Sequence, residues 1–213
     1  ENVASMLRLA ERASGEGSDV VLFPELCISG YTCADLFAQE ALIAGSEKGL
    51  SEFAAGTAAY GALFVVGLPV RSGGQLYNVA AVVHRGKVLG AVPKTYLPGY
   101  HEYYEPRWFT SELHRQSQTV ALCGQVVPFG ADLIFRDPAD PLLALGIEIC
   151  EDLWSPVPPS SHLAMAGATV ILNPSASNDL VGKFDYRHDL VRQQSARCLA
   201  AYAYCSAGVG EST

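Results

Sequence analysis

Apolar and polar positions along this chain switch back and forth between a helical and an extended period. Val3, Met6, Leu7 and Ala10 share one face of an amphipathic helix pattern over residues 1–19, and a short apolar run at Asp19–Phe23 predicts a buried strand. Gln39–Tyr60 is Ala-rich and helical, with Leu42, Leu50 and Phe53 as candidate core residues. Leu63–Val70 reads as a strand, and Tyr77–His84 and Val88–Val92 flank Arg85-Gly86-Lys87, a hairpin signal. Leu97–Gln118 has no clear period and many aromatic and charged residues, the signature of a functional loop. Leu142–Ile149 is a near-continuous apolar run, the pattern of a strand covered on both faces. Pro156, Pro158 and Pro159 form a stiff turn before a short helix over Ser161–Ala166, and Thr169–Leu172 is a strand ending in Asn173-Pro174-Ser175. A helix over Tyr186–Leu199, with Leu190, Val191, Cys198 and Leu199 near one face, precedes a last strand at Ala201–Ser206. Strands alternating with helices predict an α/β fold, and the hairpin makes the sheet mixed.

Composition narrows the class. The 213 residues suit one domain with a substantial core, and 49% apolar with 17% charged residues is a globular balance. A net charge of −8 with no basic cluster argues against nucleic acid and anionic membranes as partners. No apolar run approaches a membrane span, and the amphipathic N-terminus is not a signal peptide. The six cysteines are scattered, without a CxxC pair or zinc-ligand spacing, so no metal site is expected and reduced thiols in the cytoplasm are the default.

Three polar residues then stand out, each where an apolar strand ends. Glu25 follows Val20–Phe23 and Pro24, Lys94 follows Val88–Val92 and Pro93, and Cys150 follows Leu142–Ile149. Each has a plain competing reading: a solvated loop charge for the first two, an inert buried thiol for the third. Together they form a workable acyl-transfer set. Lys94 would lower the pKa of the Cys150 thiol, and Glu25 would take its proton and return one to a leaving amine. Lys94 and the Glu151 backbone N–H would stabilise the oxyanion.

Glu, Lys and Cys in this order resemble the nitrilase (carbon–nitrogen hydrolase) superfamily. The matching stretches are FPELCISGY around Glu25, PKTYLPGYHEYYEPRWF around Lys94 and GIEICEDLW around Cys150. Asn173 to Thr213 and the Tyr-rich continuation after Lys94 are more similar to the glutaminase domains of glutamine-dependent NAD synthetases. The resemblance implies an α-β-β-α sandwich with two mixed sheets, truncated at both ends over residues 1–213, that packs as a homo-oligomer. It implies Glu25 as general base, Lys94 as oxyanion stabiliser and Cys150 as nucleophile. Glu105 would be a supporting glutamate, with Glu102 the competing assignment. Tyr31, Tyr100, Glu151, Ser177 and Lys183 would surround glutamine. Lys183 suits its α-carboxylate, and Glu151 or tyrosine hydroxyls suit its α-ammonium. For Lys183 a solvated lysine, for Ser177 a turn role and for the tyrosines simple packing are the alternatives. No cofactor is implied in this domain. ATP and Mg would belong to a synthetase domain of the same polypeptide, which would amidate deamido-NAD and is not in this chain.

Three rivals remain at this stage. A stand-alone amidase, nitrilase or carbamoylase would keep Glu25, Lys94 and Cys150 with a different pocket. A Cys–His hydrolase would draw on His84, His101, His114, His162 or His188, none in a recognisable motif. A catalytically idle scaffold would have no use for the three strand-end groups.

Overall fold

The computed structural model describes residues 1–208. Helix α1 (Asn2–Gly15) leads into β1 (Val20–Leu22), and α2 (Glu40–Gly56) precedes the long strands β2 (Leu63–Ser72), β3 (Gln75–His84) and β4 (Lys87–Pro93). A hairpin of β5 (Thr119–Leu122) and β6 (Gln125–Pro128) follows, then β7 (Ile134–Arg136) and β8 (Ala144–Ile147). Helix α3 (Pro159–Met165), β9 (Val170–Ser175), α4 (Lys183–Cys198) and β10 (Ala201–Ser206) complete the order.

The first sheet runs β1-β2-β3-β4, with β1 parallel to β2 and antiparallel pairing thereafter. The second runs β10-β9-β8-β7, parallel except for β7. Alternation along the strands sends successive side chains to opposite faces. Val65, Ala80, Val82 and Val92 of the first sheet therefore meet Leu145, Ile147 and Leu172 of the second. Phe64, Val66 and Leu68 point the other way, onto Met6 and Ala10 of α1 and Leu50 and Phe53 of α2. Beneath the second sheet, Ile171 packs on Leu163 of α3. These layers make the expected α-β-β-α sandwich with two mixed sheets.

Three features of the fold are not announced by the hydropathy pattern. Gly73 and Gly74, with φ of +57° and +80°, close a hairpin between β2 and β3 that the apolar runs do not announce. Strands β5, β6 and β7 are too short to establish a period. The expected face of α4 is packed in part: Leu190, Val191 and Cys198 are half-buried, while its fully buried residue is Gln194, one turn from both Leu190 and Cys198, which donates to Ser160 Oγ at 2.9 Å, and Leu199, just past the helix, is 92% exposed. A polar contact anchors that helix at the middle of its inner side, which apolar spacing alone does not announce. No helix among the described residues is long and apolar enough to cross a membrane.

Candidate active site

The chain leaves β1 and crosses over β2 at Gly67. A Cβ at Gly67 would lie 2.2 Å from the Leu26 backbone nitrogen and 2.9 Å from the Glu25 carbonyl carbon, so only glycine lets the crossing pass. The Ile28 N–H donates to the Gly67 carbonyl at 3.1 Å and pins it. The crossing carries Glu25 over β2 to Asn78 of β3.

Glu25 Oε1 accepts Asn78 Nδ2–H at 2.7 Å, and Oε2 accepts the Ala176 N–H at 3.0 Å. Lys94, at the end of β4, donates from Nζ to Glu25 Oε1 and to Glu105 Oε1, each at 2.6 Å. Tyr31 donates to Glu105 Oε1 at 2.7 Å. Lys94 is 0% exposed, and Glu25 and Glu105 are each 2% exposed, so water screens none of these charges. Burial alone would pull the Lys94 ammonium down; Glu105 and Glu25 outweigh it and hold its pKa well above the lysine range. Glu105 moves upward because burial outweighs the pull of Lys94.

Cys150 lies beyond β8 at the start of a 3-10 turn, Cys150–Trp154, with φ of 47°. That left-handed conformation costs a non-glycine residue about 1–2 kcal/mol. Asn173 of β9 answers it by accepting the Cys150 N–H on Oδ1 at 2.9 Å. Asp152 ties this turn to the Lys94 strand end, accepting N–H from Ile149 at 2.8 Å, Thr95 at 3.1 Å and Tyr96 at 2.7 Å. The thiol is pushed up to about 12, by burial first and then by Glu25, against the opposing pull of Lys94 and Ser175. The expectation that Lys94 lowers the thiol pKa is corrected: the pull exists, but burial and Glu25 exceed it. The thiol rests protonated beside a carboxylate.

The remaining candidates form a rim. Tyr100 donates to both oxygens of Glu151, at 2.9 and 2.8 Å. Lys183, at the start of α4, donates to Asn178 Oδ1 and lies over the Trp154 and Tyr103 rings, 5.3 and 5.9 Å from their centroids. Ser177 is buried behind this rim, its N–H donating to Ser175 Oγ at 3.2 Å. Tyr31 belongs instead to the floor, on Glu105. Between the competing glutamates, Glu105 meets Lys94, while Glu102 accepts from Asn178. Sequence reasoning missed Asn78, Asp152 and Asn173. A lone Asn inside the apolar run QLYNVAAVV was the available signal for the first.

His84 sits at the end of β3 away from Asn78, against the Ala62 carbonyl, and His188 stacks on Phe184. Among the described residues no group of three or more His, Cys, Asp or Glu side chains is arranged to hold a metal ion.

A family model described as carbon-nitrogen hydrolase matches residues 1–213. The chain is 44% identical over 213 residues to a glutamine-dependent NAD(+) synthetase of Mycobacterium leprae, covering 100% of this chain and 31% of that protein. It spans about a third of the length of the curated relatives it matches. A crystal structure of a glutamine-dependent NAD(+) synthetase from Cytophaga hutchinsonii superposes with a TM-score of 0.83 at 33% identity, over 95% of this chain and 32% of that one. An amidase from Nesterenkonia sp. shares the fold, with a TM-score of 0.74 at 20% identity over 96% of this chain and 69% of its own. The described floor is thus found in a chain matched from end to end, and the chain belongs to the carbon-nitrogen hydrolase family.

Proposed function

We propose that this chain hydrolyses the side-chain amide of glutamine through a thioester on Cys150. The observation that carries the proposal is the buried cluster of Glu25 and Lys94, at two strand ends, with Glu105, beside Cys150. The likeness to glutamine-dependent NAD(+) synthetases supports glutamine as the amide.

Glu25 takes the thiol proton as Cys150 Sγ bonds to the amide carbon. A thiol held near 12 is not a standing thiolate, so deprotonation belongs to the attack itself. Lys94 and the Glu151 N–H stabilise the oxyanion. Glu25 then protonates the departing nitrogen, the C–N bond breaks and ammonia leaves. Water, deprotonated by Glu25, adds to the thioester carbon; collapse releases glutamate and restores the thiol. Glu105 and Tyr31 hold Lys94 in place. Glu151 and Tyr100 take the substrate ammonium, Lys183 its carboxylate, and Ser177 backs the pocket.

In the full protein the ammonia would serve a synthetase domain of the same polypeptide, which amidates deamido-NAD and holds ATP and Mg. Residues 1–213 would be its glutaminase domain, in a cytoplasmic homo-oligomer. The test is ammonia release from glutamine against release from simple aliphatic amides. Preference for glutamine, lost in Cys150→Ala, supports the proposal. Equal rates on amides lacking the α-carboxylate and α-amine would favour a stand-alone amidase.

A further inference from the structure

A second line of buried polar groups runs from Cys150 away from the reacting atoms. The Cys150 N–H donates to Asn173 Oδ1 at 2.9 Å. The other end of that amide, Nδ2, donates to the Tyr202 hydroxyl at 2.9 Å. Tyr202 donates in turn to Glu148 Oε1 at 2.5 Å, and Glu148 Oε2 accepts the Ser160 N–H of α3 at 2.7 Å. Asn173 is 0% and Glu148 1% exposed.

An amide side chain has a donor end and an acceptor end, related by a half-turn of nearly the same shape. Packing alone does not choose between them. The two neighbours of the amide do: the Cys150 N–H can only donate, and Tyr202, its proton committed to Glu148, has its oxygen left to accept. Asn173 must then present Nδ2 to Tyr202 and Oδ1 to Cys150. The opposite orientation would set two donors against each other at the nucleophile, in a buried place where neither finds water. Cys150 holds a left-handed φ that a non-glycine residue keeps only when its surroundings impose it.

We infer that Glu148 and Tyr202 are positioning residues, fixing the Cys150 turn by dictating the amide orientation of Asn173. Neither belongs to the floor or the rim. The reaction they serve rests on the proposed function; the geometry does not.

In the full-length protein, Tyr202→Phe should lower kcat for glutamine by roughly 10- to 100-fold, the scale of a displaced reacting group. KM should stay within about twofold, since the rim is untouched. The deciding comparison is a double-mutant cycle with Asn173→Asp. A carboxyl group carries oxygen at both ends and meets the Cys150 N–H whichever way it turns, so Tyr202→Phe should cost little in that background. Equal losses in both backgrounds overturn the inference, as does a Tyr202→Phe protein with unchanged kcat.

Chloroacetamide labelling of Cys150 keeps this separate from the glutaminase reading. A parent that labels at Cys150 yet releases no ammonia from glutamine sinks that reading, and labelling rates then decide the relay: slower in Tyr202→Phe supports it, unchanged overturns it. A parent whose Cys150 resists labelling overturns both. Should Asn173→Asp fail to fold, Glu148→Gln decides by the same labelling. Its amide cannot accept from both Tyr202 and Ser160, so a slowed rate supports the relay and the parent's rate overturns it.

Discussion

Glu25, Lys94 and Glu105 are gripped on every side, whereas Tyr100 and Glu151 hold each other and Lys183 holds Asn178. Glu25 and Lys94 sit at strand ends and Glu105 opens the 3-10 turn Glu105–Arg107; all three are almost fully buried, and their further partners come from β3, the loop after β9 and Tyr31. The rim residues lie on the loop after β4, on the turn after Cys150 and at the first residue of α4; Tyr100 is 49% exposed. Backbone-anchored groups in low dielectric suit bond making, where a fixed charge costs no reorganisation as the reaction proceeds. Side chains that bond each other at the surface can exchange those partners for the two charges of a substrate. Reaction chemistry and substrate choice are thus placed in regions of different stiffness.

Breaking the floor should have the largest effect. Cys150→Ala should abolish ammonia release, and Glu25→Gln should lower it by about 10²- to 10⁴-fold, the usual value of a positioned acid–base group. Cys27→Ala and Cys205→Ala, assayed alongside, should stay near the parent. Lys94→Met should cost roughly 10²- to 10³-fold in kcat, as the loss of an oxyanion donor does. It should also change stability with pH. A carboxyl group whose folded pKa lies above its unfolded value takes up a proton on folding, so it favours the fold in acid and that contribution fades as pH rises. Glu105 already lies in that direction. Without Lys94, Glu25 and Glu105 face each other uncompensated, and melting temperature should fall more steeply than the parent's from about pH 4.3 upward.

Gly67→Ala tests the crossing that delivers Glu25. A Cβ 2.2 Å from backbone must displace the segment, with a loss of about 1–3 kcal/mol of stability and a kcat loss larger than that of any rim variant. The smallest effect belongs to the rim: Lys183→Ala should raise KM for glutamine about 10- to 100-fold with little change in kcat, the mark of lost uniform binding. A kcat loss from Lys183→Ala as large as that from Glu25→Gln would erase the distinction between floor and rim.

What the sequence reveals follows the same division. Glu25, Lys94 and Cys150 are legible because each is a polar residue ending a strongly apolar run, and such runs are read as strands from their short length, β-branched content and flanking residues such as Pro24 and Pro93. Gly67 is not, because a glycine in a strand gives no sign of which backbone will cross it. Asp152 and Asn173 act by accepting N–H groups from segments distant in the chain, Thr95 and Tyr96 for one and Cys150 for the other; the first pairings exist only once the two sheets face, and the second only once β8 and β9 pair. The direction of the thiol shift was misjudged for a related reason: the charge of Lys94 is visible in the sequence, but the burial that outweighs it is not. Helix α4 shows the limit of hydropathy, since Gln194 and not an apolar residue is its fully buried side chain. The last five residues of the Asn173–Thr213 stretch that carried part of the resemblance lie outside the described residues.

The most direct test is acid quench of the full protein during turnover of isotopically labelled glutamine, followed by mass analysis of the peptide holding Cys150. A glutamyl adduct on Cys150, absent from Cys150→Ala, is the predicted result. Undiminished ammonia release by Cys150→Ala, or an adduct on another residue, would contradict it.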